Sequence, residues 1–220
     1  MVLFGGCVAV WRYLNTAPAY TMPHPPLPTP NAYDYYAHAG KLIQAIPKAD
    51  RKKAFDPKAP IPEVTAVVDQ CQPAFRLVHQ GTAYRYGTPL PRTARAIWHY
   101  DLRYLPQFGE LSQLLIAESR VAAAHGDYEN ALLGIKDCIR LGIAVPHGGI
   151  EADTMNGLSM ENYGLVELVF QARNLNAHDS QKTAQWLGAL DKKHIAWSEM
   201  LRMQWGFMRE SLPIIAQDPR

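Results

Sequence analysis

Cysteine is scarce in this chain, which holds three (Cys7, Cys71 and Cys138) more than sixty positions apart and no C-x-x-C pair. Zinc ribbons and disulfide-stapled scaffolds need closely spaced cysteines, so both classes are excluded. In an exported protein Cys71 and Cys138 could pair, but both fall in helical segments, where a free cysteine ordinarily serves as a small core residue. Catalytic signatures are missing as well. His24, His38, His79, His99, His125, His147, His178 and His194 form no H-x-x-x-H and no H-E-x-x-H, so no metal is expected. There is no glycine-rich phosphate loop and no G-x-S-x-G, and no cofactor is expected. His147-Gly148-Gly149 matches an oxyanion loop in letters only and reads as a turn between helices.

An excess of charge of one sign is also lacking: 22 basic and 20 acidic residues are interleaved for a net charge of +2. Without a basic stripe to track phosphates, nucleic acid is excluded as a partner. Long apolar runs are absent too. The longest membrane-directed stretch, Val2 to Leu14, has 13 residues interrupted only by Arg12. A spanning helix needs about 20 apolar residues, so this one is too short to cross a bilayer as it stands. It reads as a truncated anchor whose start lies upstream, or as a signal-peptide core without its basic leader. Arg12 alone would favour a cytoplasmic body.

What is present suits one helical domain. The chain has 220 residues, of which 48% are hydrophobic and 19% charged, enough to bury a core without metals or disulfides. Residues 1–14 form the apolar segment and 15–30 a proline-rich spacer, with five prolines between Thr21 and Pro30 holding the backbone near polyproline II. The helical domain covers 31–213, and 214–220 is a C-terminal tail.

Within that domain Asn31 is placed to cap a helix over about 32–46 that Pro47 stops. Lys48 to Lys53 reads as a solvated charged connector. A second helix starts at Pro62, with a kink or division expected at Pro73. Gly81 to Pro91 reads as an extended crossover. After Pro146-His-Gly-Gly149 a helix is expected over 151–176, with Leu158, Leu165, Leu168, Val169, Ala172 and Leu175 on its apolar face. A last helix, capped by Asp179 or Ser180, carries the stripe Leu187, Leu190, His194, Trp197, Leu201, Trp205 and Met208 unbroken to about Ser211, before Pro213 ends it.

The most informative stretch is Gln107 to Val145. Leu111, Leu114, Leu115, Ser119 and Ala122 share one helical face, and a second stripe follows at Ala131, Ile135, Cys138, Ile139 and Gly142. Gly126 suits a left-handed helix end and Asp127 a cap, so the two stripes predict an antiparallel hairpin. Gly126-Asp127-Tyr128-Glu129-Asn130-Ala131-Leu132, with Ile135 and Cys138 downstream, resembles one tetratricopeptide repeat. Leu115, Ser119 and Ala122 depart from that pattern, and no second copy stands about 34 residues away. The apolar start, proline spacer, N-A-Y-D opening and G-D-Y-x-x-A-L hairpin together resemble bacterial proteins with an N-terminal anchor and a helical, repeat-like exported body. That resemblance implies architecture and location, with no activity attached.

The fold class expected is therefore all-α, made of antiparallel helical hairpins in a tetratricopeptide-like superhelix or an irregular helical array. The expected function is a non-catalytic interaction or scaffold protein that is held at a bacterial membrane, its body extracytoplasmic, and binds a protein or peptide. An exported soluble protein is the alternative location. The competing function is an enzyme or small-ligand binder with an inter-helix pocket near His99, Asp101 and Arg103, which bring acid-base groups together within five residues.

Overall fold

The computed structural model describes residues 26–90 and 102–217, with side chains through Arg209. These residues are all helical and connecting, with no strand among them. The helices are α1 (Ala32–Gln44), α2 (Lys48–Phe55), α3 (Ile61–Gly81), α4 (Tyr104–Ala124), α5 (Tyr128–Ala144), α6 (Glu151–Gln171), α7 (Ala177–Asp191) and α8 (Trp197–Gln217).

α4 is central: it packs against α1, α2 and α3 on one side and α5 and α6 on the other. Its Phe108, Leu111, Leu114 and Leu115 are fully buried among Tyr36 and Ile43 of α1 and Val64 and Val78 of α3. Tyr33, Tyr104 and Phe108 meet edge to face, with centroids 5.3–6.0 Å apart, a preferred aromatic geometry. A second core joins Ile135, Ile139 and Ile143 of α5 to Leu168 of α6 and Leu190 of α7.

Local chemistry starts each element. Asn31 Oδ1 accepts the Tyr33 amide at 3.1 Å, the capping bond expected of it. The same side chain also receives the Gly87 amide at 3.0 Å and donates to the Gly87 carbonyl at 2.8 Å, tying the crossover to the start of α1. At α6, Asp153 accepts the Ile150 amide at 2.9 Å and the Tyr104 hydroxyl. Burial pushes the Asp153 carboxyl above the usual carboxylate range, against these two donors.

Four expectations need correction. Lys48 to Lys53 belong to helix α2. Arg51 is 4% exposed and donates to the carbonyls of Ile43 and Ile46, closing the end of α1. One inward-facing arginine among outward lysines makes the segment amphipathic, which charge counting misses. α3 is not divided at Pro73, which stands on its exposed face, where water can reach the carbonyl left without a donor. α6 ends at Gln171, followed by a 3-10 turn at Ala172–Asn174, and Asn176, not Asp179 or Ser180, caps α7 by accepting the Asp179 amide at 2.9 Å. The long last helix is two helices, α7 and α8, parted at residues 192–196. From Leu190 to Trp197 is seven residues, two helical turns, so the apolar periodicity of the sequence runs on across the break, although Leu190 is buried in the core and Trp197 is exposed. α8 continues through Pro213 to Gln217.

The packing face of α6 also differs from the apolar one expected. Thr154, Gly157, Met160, Gly164 and Glu167 are buried, whereas Leu158 and Val169 are exposed. Small residues win because α5 and α6 approach backbone to backbone: a Cβ on Gly142 would lie 2.4 Å from the Glu161 amide nitrogen, and one on Gly157 2.5 Å from the Gly142 carbonyl. Larger side chains are displaced to the outside.

Candidate functional site

α4 and α5 form an antiparallel pair about Gly126, whose φ of +78° is a left-handed conformation that favours glycine. The amide of Asp127 returns to the Ala122 carbonyl at 2.9 Å, and its carboxylate accepts the Asn130 amide at 3.2 Å. Hydrogen bonds from the Asn130 side chain and backbone hold the Asp127 carboxyl below the usual range. Leu115, Ser119, Ala131, Ile135 and Cys138 are buried, Ala122 is half-buried and Tyr128 is exposed. The helices meet most closely where Gly134 faces the backbone of Leu115 and Ser119. Ile135 and Ile139 turn to α6, where they crowd Gly164, and the Cys138 thiol donates to the Met160 carbonyl at 3.3 Å. The α5 stripe thus serves two neighbours. Cys71 and Cys138 are both free and buried, and burial raises the Cys71 thiol to about 12 and the Cys138 thiol further, so neither is a nucleophile.

Of the three residues proposed for a pocket, His99 and Asp101 lie outside the described residues. Arg103 is exposed and lines a surface depression with Asp34, His38 and Lys41 of α1. Among the described residues no group of three histidine, cysteine or carboxylate side chains is placed to hold a metal ion.

Two other features stand out. The first is the outer face of α8, where Trp197, Leu201, Trp205 and Met208 are 45–64% exposed. Other positions anchor the helix: Met200 and Met203 are buried, and Gln204, at the edge of the exposed row, accepts the Glu151 amide at 3.0 Å. A second apolar patch lies near the end of α6, at Val166, Val169 and Phe170. Neighbouring large apolar side chains left in water mark interaction surfaces in soluble proteins.

The second is an open cleft of about 450 Å³ bounded by the crossover, α5 and the 192–194 turn. Arg85, Arg140, Lys192 and Lys193 line it, and among the described residues no acidic one does. Arg140 is held in place by Asp137 at 3.2 Å and by the Trp186 ring, 5.6 Å from its guanidinium carbon. His194 closes one end, its Nε2 2.9 Å from Glu161 Oε1. Its burial works against the charged form, but hydrogen bonds to Glu161 and to the Asp191 carbonyl outweigh that and raise its pKa.

No family model, curated protein or solved structure matches the chain.

A polar cluster, in which Asp137 is buried and His79 exposed, ties α3, α4 and α5 together. Gln72 donates to Glu118 at 3.0 Å, and His79 Nδ1 lies 3.2 Å from Asp137 Oδ2. Burial raises the Glu118 carboxyl to about 7, with the Asp137 charge adding to it and the Gln72 bond opposing it. Burial likewise raises Asp137, against His79 and Arg140. Neither carboxyl lines the cleft, so the cluster reads as a fastening between helices. Sequence reasoning missed the cleft because its cations stand at positions 85, 140, 192 and 193. Only Lys192 and Lys193 are adjacent in sequence, and two neighbouring lysines carry no signal beyond that of a solvated turn.

Proposed function

We propose that this protein is a non-catalytic interaction protein, held at a membrane by its N-terminal apolar segment, that docks a protein or peptide partner on the outer face of α8. The observation carrying the reading is the row Trp197, Leu201, Trp205 and Met208, spaced at three and four residues along one exposed helix face. Such spacing is how one helix fills an apolar groove on another protein. Tryptophan is also the residue most enriched where binding energy concentrates. The membrane part of the reading rests on Val2 to Leu14 and the proline spacer. Among the described residues no helix is long and apolar enough to cross a membrane. The tetratricopeptide resemblance around Gly126 is in keeping with a docking role and adds no partner identity.

Photo-cross-linking in cells tests this. A cross-linking residue at Leu201 of the full chain should give a discrete adduct that disappears when Trp205→Glu is added. The same residue at Gln185, exposed on α7, should give none. No adduct at Leu201, or one indifferent to Trp205→Glu, would contradict the reading.

A further inference from the structure

We propose that the cleft walled by Arg85, Arg140, Lys192 and Lys193 is a binding site for a ligand bearing a phosphate group with two or more negative charges. The chain as a whole is nearly balanced, at +2, with its charges interleaved along the sequence. Folding nevertheless gathers four cations from three separate segments into one concavity, with no acidic side chain among the described residues of its wall. Like charges brought together repel, and an anion seated among them relieves that repulsion.

The chemistry of the wall selects the class of anion. Arg140 uses one guanidinium nitrogen on Asp137 and is braced by the Trp186 ring, so its remaining donors are fixed in direction. A planar fork of this kind pairs with phosphate oxygens through two parallel bonds, and lysines serve as point charges beside it. With Arg140 already paired to Asp137, three cations are left, more than a single carboxylate can neutralise, whereas a phosphomonoester or pyrophosphate matches them. Tyr84 and Tyr86 stand in the same wall, each stacked on a tyrosine of α1. They give the ligand's non-phosphate part a firm aromatic surface. The volume of about 450 Å³ lies in the range of small-molecule sites.

The shared chemistry, a phosphomonoester or pyrophosphate, can come from a soluble metabolite or from a lipid headgroup, and the experiment separates them. The full chain, solubilised in neutral detergent, is titrated calorimetrically with inorganic pyrophosphate. It is also reconstituted beside phosphatidylcholine vesicles with and without phosphatidic acid. Variants are Lys192→Gln with Lys193→Gln, and Arg85→Gln, all at exposed positions. The control is Lys52→Gln with Lys53→Gln on α2, away from the cleft. Saturable pyrophosphate binding that the cleft variants weaken by about tenfold or more, and the control does not, supports a soluble ligand. A preference for phosphatidic acid lost in the same variants supports a headgroup. Binding of neither probe, or binding the control weakens as much as the cleft variants do, overturns the proposal. Circular dichroism melts of each variant exclude unfolding as the cause. Nothing in this test depends on the α8 face, so either reading can fail alone.

Discussion

Arg51 shows most clearly how one residue can carry local structure. Its guanidinium reaches the carbonyls of Ile43 and Ile46, Gln44 Oε1 at 3.0 Å and Glu110 Oε2 at 3.0 Å. Replacing it by methionine keeps the apolar stem but removes the side-chain donor to the Ile46 carbonyl and the cation beside half-buried Glu110, leaving the Ile43 carbonyl with the Ile46 amide and Glu110 with the Gln44 side-chain amide. Arg51→Met should cost about 3 kcal/mol in denaturant melts, whereas Lys52→Met, on the exposed side of α2, should stay within about 0.5 kcal/mol. Glu118 makes a second prediction, about pH. Its folded pKa of about 7 is above its ordinary value of 4.5, so in that window the folded chain holds a proton the unfolded chain has lost. Its contribution to stability therefore falls as pH rises from about 4.5 to about 7 and is level on either side. Glu118→Gln removes that slope. Measured relative to pH 4, the variant should gain roughly 2 kcal/mol on the wild type by pH 8, after discounting for partial exposure. Parallel stability curves for the two proteins would refute this.

Among the elements, the contact between α5 and α6 rests on missing side chains. Gly142→Ala would drive a methyl group into the backbone of Gly157 and Glu161 and should cost about 1–3 kcal/mol. Gly188, inside α7, has nothing within 4 Å of its would-be Cβ. Gly188→Ala should therefore stabilise by about 0.5–1 kcal/mol, as helix propensity alone dictates. Thermal or chemical melts that move the same way for both would show the α5–α6 crossing to be wrongly placed. These helices also show what the sequence could disclose. Caps and turns depend on adjacent residues, so Asn31, Gly126 and Asp127 were legible and the all-α class with them. Which face of a helix turns inward depends on its neighbour. The apolar stripe on α6 pointed to Leu158 and Val169, but the close approach of α5 selects Gly157 and Gly164 instead. The 192–196 break was hidden by a turn that preserved phase. The cationic cleft was illegible because only tertiary structure brings position 85 to 140 and 193.

The whole molecule is a helical stack centred on α4, with α8 held along one side by its inner methionines and its aromatic face turned out. Because the apolar start and the proline spacer precede the stack, the reading proposed above predicts that the full chain sediments with membranes. Detergent, not salt, should release it. A wholly soluble product would refute membrane attachment while leaving the α8 face untouched. The central claim is that Trp197, Leu201 and Trp205 form a solvent-facing docking surface and no part of the core. The most direct measurement is the melting temperature of Leu201→Glu against Met203→Glu, since Leu201 is 60% and Met203 4% exposed on the same helix. The account predicts a shift under about 2 °C for Leu201→Glu and a fall of about 6 °C or more for Met203→Glu, where a charge would be buried. Equal falls at both positions would mean that the outer face of α8 is packed within the fold, contradicting its role as a docking surface.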